Sequence, residues 1–414
     1  MKLKKYKFGT KTFVAIVNAA DCPQDPYVSA YIGCLLASRS INTATRYANE
    51  LIFVLKHFAD KKIDLVGRVA SGHFISNQEY VQWYDSCCLG VSSQYNTAEL
   101  SFKNIEAKDF RNILSANQRV TSRVSGSTIR GRLRRLRDFI NWLYEKFHEE
   151  GEVSSELGGR LKRLICRMRC DEEGIKDRGF FSKQTLDDTV IHDDIYEKML
   201  SIIEPSSPEN PFRKSKLRNY LIVSILAQSG IRRGALAKAK VSDFKFHGAY
   251  DSFLVYKSGN DVSDPRFDKP NQKTRAHIAT IEPHLMRAIK HYVDTDRAAI
   301  PQSQAHDYLL LSESNSRGTM GNPISLKSIN EIFSRLSEVL NFHIYPHLLR
   351  HKWNEIYDIK ASSMGIEPER MEDARKYAMG WSQNSSMNRV YNEKRLAKLA
   401  REISECHQER VDRQ

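Results

Sequence analysis

Ile129, Leu133, Leu136, Ile140 and Leu143 recur at intervals of three and four residues, the spacing of one face of an α-helix. The helix is expected to start at Ser127 or Thr128, and its opposite face carries one sign of charge. Arg130, Arg134 and Arg137 fall at i, i+4 and i+7 with Arg132 and Arg135 beside them, so five guanidiniums are expected to project from two turns with only Asp138 to balance them. Like charges at this spacing destabilise a helix by roughly 0.2–0.5 kcal/mol per pair. A solvated helix face normally alternates in sign. This one does not, and Arg130, Arg134 and Arg137 are read as contacts to a phosphate backbone.

The rest of the chain agrees with a polyanionic partner. Its 414 residues hold 64 Lys and Arg against 50 Asp and Glu, a net charge of +14. Each cation that neutralises a phosphate releases a counterion, so double-stranded DNA is the leading partner. With 41% hydrophobic and 28% charged residues the chain can build cores and is too well mixed for disorder. Its longest apolar run, Tyr220 to Ala227, falls far short of the roughly 20 residues a membrane helix needs. Lys2, Lys4, Lys5 and Lys7 precede an apolar patch at Phe13 to Val17, shorter than the roughly 7–15 residues of a signal core. No membrane role is expected, and a cytoplasmic location is. Seven cysteines without a CxxC pair fit a reducing compartment and give no disulfide framework.

Length and pattern divide the chain. Residues 1–26 are basic, interrupted by Pro23 and Pro26, and read as an extended or loosely attached arm. Residues 27–150 read as a helical DNA-binding domain. Its first clear stripe, Tyr47, Leu51, Val54, Leu55 and Phe58, follows an N-cap at Asn42 or Thr43. Residues 151–190 turn to Gly, Ser and mixed charge, the composition of an interdomain linker, with one short basic helix at Arg160 to Arg169. Residues 191–414 read as a second domain, opening with a helix at Asp193 to Ile203 that stops before Pro205. A stronger helix, Lys216 to Gln228, ends at Gly230, a residue suited to a left-handed cap. Asp243 to Phe246, Phe253 to Tyr256 and Ala276 to Ile281 read as short strands, and helical periodicity returns from Ser325. The fold class is mainly α: an all-helical domain followed by an α+β domain with a small antiparallel sheet.

Several enzyme signatures are missing from the sequence: the GxxxxGK[ST] phosphate loop, HExxH, GxSxG and GxGxxG. Three cationic and aromatic clusters remain in the second domain. The first is Gly230-Ile231-Arg232-Arg233-Gly234-Ala235-Leu236, a helix end followed at once by two arginines. The second, His347-Leu348-Leu349-Arg350-His351, puts His347 and Arg350 on one helix face. The third is Gly380-Trp381, followed by Arg389-Val390-Tyr391. Each alone is a weak signal.

In this order and at these separations the clusters resemble the tyrosine recombinase, or phage integrase, family, over roughly residues 27 to 400. LIVSILAQSGIRRGALAKAKVSDF is similar to the family's first box, YPHLLRH to its second, and YAMGWSQNSSMNRVYNEKR to the segment that ends in the nucleophile. SINTATRYANELIFVLKHF and STIRGRLRRLRDFINWLYEKF resemble two helices of the family's core-binding domain.

The resemblance implies two domains closing round duplex DNA as a C-shaped clamp, with the N-terminal one of the SAM-like helical type. It also implies that Tyr391 attacks a DNA phosphodiester, forming a 3′-phosphotyrosyl intermediate and releasing a 5′-hydroxyl. Arg232 and Arg350 would clamp the non-bridging oxygens, where charge accumulates in the transition state. His347 would assist proton transfer, and Trp381 would hold the phosphate through its indole N–H. A hairpin lysine would protonate the leaving oxygen; Lys269 is the first choice, with Lys273 and Lys257 as alternatives. Bond energy conserved in the phosphotyrosine removes the need for a metal or nucleotide cofactor. Strand exchange implies a homo-tetramer on the recombining sites, with accessory proteins and the target site left open. The tail after Arg395, with Leu396, Leu399, Ala400 and Ile403 on one face, suits packing on a neighbouring protomer or in cis.

The sequence departs from the family pattern at three points. Ala235 stands where the family usually has an acidic residue. Arg350 to Trp381 spans 31 positions, which suggests an insertion around Ser362 to Asp373, and the step from Trp381 to Tyr391 is longer by one residue than the family pattern. His343, His347 and His351 recur every four residues, but Pro346 interrupts the helix between the first two, and no metal site is expected there.

Overall fold

Residues 1–26 do not form a loose arm in the computed structural model, which describes residues 1–9, 11–23, 25–90, 124–148, 155–175, 191–246, 252–257, 261, 263–267, 269–272, 275–315, 318–385 and 387. Strands β1 (Lys2–Phe8) and β2 (Lys11–Val17) pair antiparallel, from Lys2 opposite Val17 to Phe8 opposite Lys11. The alternation in β2 explains why they stay attached. Val14 and Ile16 point to one face and are buried in a helical core, while Phe13 stacks on Tyr6 at 5.5 Å on the other. The density of lysine in β1 masked this alternation.

The chain forms two compact units, Met1–Phe181 and Ser182–Gln414. In the first, α1 (Pro26–Ser38), α2 (Ile41–Asp60), α3 (Leu65–Ala70) and α4 (Asn77–Cys88) each start at a side-chain cap: Asp25, Ser40, Asp64 and Ser76 respectively. The cap of α2 thus lies two residues ahead of the position expected for it. α5 (Gly126–His148) lays Ile129, Leu133, Leu136, Ile140 and Leu143 into the core with Leu51, Val54, Phe58 and Trp83. Each such side chain contributes about 1.5–3 kcal/mol by leaving water.

α6 (Ser155–Gly174) corrects the linker reading. Leu161 and Met168 of this helix are buried in the same core, and the Tyr80 hydroxyl donates to Asp171 at 2.8 Å. The glycines at its start resemble a loop, yet the apolar positions that follow carry a helical stripe. The first unit is therefore helical with a hairpin packed on α1 and α2, rather than helices alone.

The second unit contains α7 (Asp193–Ile203), α8 (Lys216–Ser229), the single turn α9 (Arg233–Leu236), β3 (Phe244–Lys245), β4 (Ser252–Val255), β5 (His277–Thr280), α10 (Pro283–Tyr292), α11 (Leu326–Leu340), α12 (Pro346–Ser363) and α13 (Pro368–Ala378). The three strands make one antiparallel sheet in the order β3-β4-β5, as their sequence runs predict. α8 is buried on all sides from Asn219 to Ala227, which makes it the axis of this unit. The 31 positions between Arg350 and Trp381 are taken up by the rest of α12 and by α13. The structure is mostly helical with small antiparallel sheets, and no described helix is long and apolar enough to cross a membrane.

Candidate active site

The site forms where α8 ends. Because α8 is buried throughout, its last turn lies in the interior, and Gly230 turns the chain there with φ +59°. A Cβ on Gly230 would come within 2.8 Å of Met379 Cε and the Trp353 ring, so the position needs glycine for space as well as conformation. Arg232 follows in extended backbone at the start of α9.

Arg350 lies in the first turns of α12, opened by Pro346 at a position where a missing N–H costs nothing. Its side chain is buried. Nη1 donates to the Gly230 carbonyl at 2.6 Å and Nη2 to the Met379 carbonyl at 3.4 Å. The guanidinium also sits 5.7 Å from the centre of the Trp381 ring. One cation thus joins three segments far apart in sequence.

Trp381 arrives from the other side. After α13 the chain turns at Gly380, with φ +62°, and the Trp381 N–H donates to the Lys376 carbonyl at 2.8 Å. The Gly380 carbonyl accepts from the Arg275 N–H at 2.8 Å, which ties this turn to the start of β5. Trp381 is buried. Arg232, Arg350 and the Gly380-Trp381 turn therefore surround His277 of β5, a residue the sequence reading passed over. The signal was present: the alternation of HIATI points His277 and Ala279 inward, and a histidine in an inward strand position is unusual.

The other candidates are placed less centrally. His347 is exposed, one turn before Arg350, with its ring 4.7 Å from that of His351. Lys269 is buried, and its ammonium donates to the Asp261 carbonyl at 2.8 Å; Asp261 in turn pairs with Lys240. Lys257 is exposed just beyond β4. Lys273, Arg389, Tyr391 and the tail after Arg395 lie outside the described residues. Ala235 is buried beside Lys238, Asp243, Tyr256 and Gln272, and these polar groups surround the position where the family usually has a carboxylate. Burial holds the Lys238 ammonium below its ordinary pKa, and the carboxylates of Asp261 and Asp264 oppose it. Among the described residues no three His, Cys, Asp or Glu side chains are grouped to hold a metal ion.

The arginine face of α5 differs from its sequence reading. Arg132 and Arg135 do not project: both are buried. Arg132 donates to the carbonyls of Cys87 and Leu89 at 2.9 and 2.8 Å, and Arg135 donates to the Tyr31 hydroxyl at 2.9 Å and covers the Tyr47 ring. Arg130 reaches the Ile175 carbonyl at 2.9 Å. Arg134 and Arg137 both bind Glu172 of α6, Arg134 through Nε at 2.9 Å. The balancing charge comes from a neighbouring helix, where a sequence window on α5 could not show it. Arg134 keeps 48% of its side-chain surface open, against 16% for Arg137.

In this mostly helical unit a buried arginine draws together a helix end, a second helix and a Gly-Trp turn. The sequence pattern of the phage integrase family matches residues 190–396, half of the chain, and the chain belongs to that family. No curated protein sequence matches it. Among solved structures it is similar to the XerA recombinase, at 14% identity over 89% of this chain and 93% of that one, with a TM-score of 0.35. It is also similar to the XerH site-specific recombinase bound to difH substrate, at 15% identity over 90% and 94%, with a TM-score of 0.44. A lambda integrase dimer bound to a COC′ core site matches at 13% identity over 89% and 94%, with a TM-score of 0.41.

Proposed function

We propose that the chain is a site-specific DNA recombinase that cuts and rejoins duplex DNA through a 3′-phosphotyrosyl intermediate on Tyr391. The observation that carries this reading is Arg350. Its buried guanidinium is held by the Gly230 and Met379 carbonyls beside Trp381, so a fixed fork of donors is in place before substrate arrives. A phosphodiester gains negative charge on its non-bridging oxygens as a nucleophile adds, and preorganised donors stabilise that charge without reorganising.

Arg232 and Arg350 take the oxygens, His347 one turn away assists proton transfer, and Trp381 buttresses the phosphate. Lys269 or Lys257, or Lys273, protonates the leaving 5′-oxygen. Lys257 is the more open of the two described lysines, since Lys269 already donates to Asp261. The energy of the broken bond is kept in the phosphotyrosine, so neither metal nor nucleotide enters the scheme. The first unit, with Arg134 the most open of its three candidate arginines, supplies contacts to the DNA backbone. Four protomers on two sites complete the exchange.

The test is a nicked suicide duplex. Such duplexes, tiling the DNA on either side of the gene that encodes the chain, are incubated with wild type and Tyr391→Phe without added metal, then run on a denaturing protein gel. A slow adduct with wild type alone supports the reading. Equal, salt-sensitive binding by both proteins without adduct supports a second reading that Ala235 favours: a DNA-binding protein of this fold with impaired strand exchange.

A further inference from the structure

His277 opens β5 with its side chain turned inward and 4% exposed. Its Nδ1 lies 3.1 Å from the Arg275 carbonyl. A carbonyl only accepts, so Nδ1 carries the proton and Nε2 presents a lone pair. Nε2 is buried and meets no donor among the described residues. Buried acceptors are nearly always satisfied, and one that is not invites a functional explanation.

The surroundings supply one. The Gly380 turn lies against the ring so closely that a Cβ there would stand 2.4 Å from Nδ1. Met379, the preceding residue, offers its carbonyl to Arg350. The charged groups that act on the imidazole are Arg350 from α12 and Arg232 from the turn before α9; Arg275, just ahead of β5, lines the pocket on the Gly380 side with Lys376 and Asp373 of α13.

We propose that His277 is a positioning residue for the arginine pair: as a neutral imidazole it offers Nε2 to a guanidinium N–H when a phosphate is drawn between Arg232 and Arg350, and so fixes the orientation of the fork. The identity of the anion rests on the recombinase reading. Burial lowers the pKa of the ring, as do the charges of Arg350 and Arg232, against the opposing pull of the Arg275 carbonyl. The ring therefore stays neutral at neutral pH and gains a proton only in acid. Once protonated it has no acceptor left and adds a third positive charge, so positioning is lost on acidification.

Two variants separate this from a packing role. His277→Gln keeps an acceptor and cannot ionise, whereas His277→Phe keeps the ring volume and has no acceptor. Adduct formation with the nicked duplexes is measured per folded molecule between about pH 5 and 8, the range in which histidines act as switches. Wild type is expected to slow on the acid side. His277→Gln should lose that acid limb and keep the neutral rate, and His277→Phe should be slower at every pH, by up to about 10²-fold, the cost of a misplaced catalytic group. Wild-type rates and an unchanged pH profile in both variants overturn the proposal, as does an acid limb that survives unchanged in His277→Gln.

A second measurement needs no DNA. With ring-labelled histidine, the His277 resonance is titrated in wild type and in Arg232→Gln. Loss of one neighbouring cation should raise its pKa, and an unchanged value overturns the proposal. This arm decides the matter if His277→Phe does not fold. If wild type forms no adduct with any duplex, the recombinase reading fails, and the titration still decides whether the imidazole and the arginines act as one unit.

Discussion

The Nη1 of Arg350 donates to the Gly230 carbonyl at 2.6 Å across 120 positions of sequence. The bond does two things at once. It satisfies the carbonyl at the buried end of α8, and it fixes the plane of the guanidinium. Arg350→Lys keeps the charge but loses the planar fork, because an ammonium cannot hold two carbonyls and an anion in one plane. The variant should keep DNA affinity at fixed salt while adduct formation falls by about 10²–10³, the effect of removing one preorganised donor. Gel-resolved adduct beside a binding isotherm measures the two together. A wild-type adduct rate in Arg350→Lys would show that the fork is not part of the chemistry.

Gly380 holds the opposite wall, and it tolerates no side chain. Its φ of +62° is costly for L residues, and a Cβ would stand 2.6 Å from the Arg275 carbonyl and 2.4 Å from His277 Nδ1. The first of these neighbours is backbone and cannot rotate away. Gly380→Ala is therefore expected to cost at least the roughly 1–2 kcal/mol of a left-handed residue, seen as a lower thermal midpoint. It should also abolish the adduct at temperatures where the protein remains folded, since Trp381 and His277 both move. A stable, active Gly380→Ala would contradict the packing described around β5.

The parts of this site differ in how much a sequence reveals. Gly230, Arg232, Arg350 and Trp381 could be found in the sequence because each sits at a helix end or turn with its own local signature. The convergence of Gly230, Arg350 and Trp381 could not, since α8, α12 and the Gly380 turn are brought together only in the folded unit, around the buried α8. His277 went unread although its strand was found: a four-residue strand carries no local signature that separates an inward histidine near two arginines from an ordinary strand position. On α5 the helical period located the stripe correctly, but it says nothing about partners on other helices. Arg132 and Arg135 are buried because carbonyls, a tyrosine and aromatic rings from α1, α2 and α4 meet them. β1 and α6 show the same limit, where lysines hid a strand and glycines hid the start of a helix.

Glu172 separates structural arginines from DNA-binding ones. It is buried, and it accepts from both Arg134 and Arg137. Glu172→Gln keeps the volume and removes the charge, so the first unit should lose about 1–3 kcal/mol, read from denaturant midpoints. The two guanidiniums become available to phosphate. If they contact DNA, the slope of log affinity against log salt should steepen by roughly 0.9 per added phosphate contact. An unchanged slope with lowered stability would assign both arginines to the fold alone.

His57 makes the first unit sensitive to acid. Its ring packs edge-on against Trp83 at 5.1 Å and Phe58 at 5.2 Å, and its Nε2 is buried. Burial, with a smaller push from Lys61 and an opposing pull from Asp60, lowers its pKa from 6.5 to about 4. The unfolded chain therefore takes up the proton first as pH falls, and the native state resists it. Stability from the neutral ring is complete above pH 6.5, declines between 6.5 and about 4, and is lost below that. Allowing for solvent at a partly exposed ring, the loss should be on the order of 1–2 kcal/mol. His57→Phe fills the same aromatic slot and cannot ionise. Urea midpoints of wild type and variant should stay close at neutral pH and diverge on acidification, with the variant the more stable. Parallel curves would show that the acid sensitivity of this unit lies elsewhere.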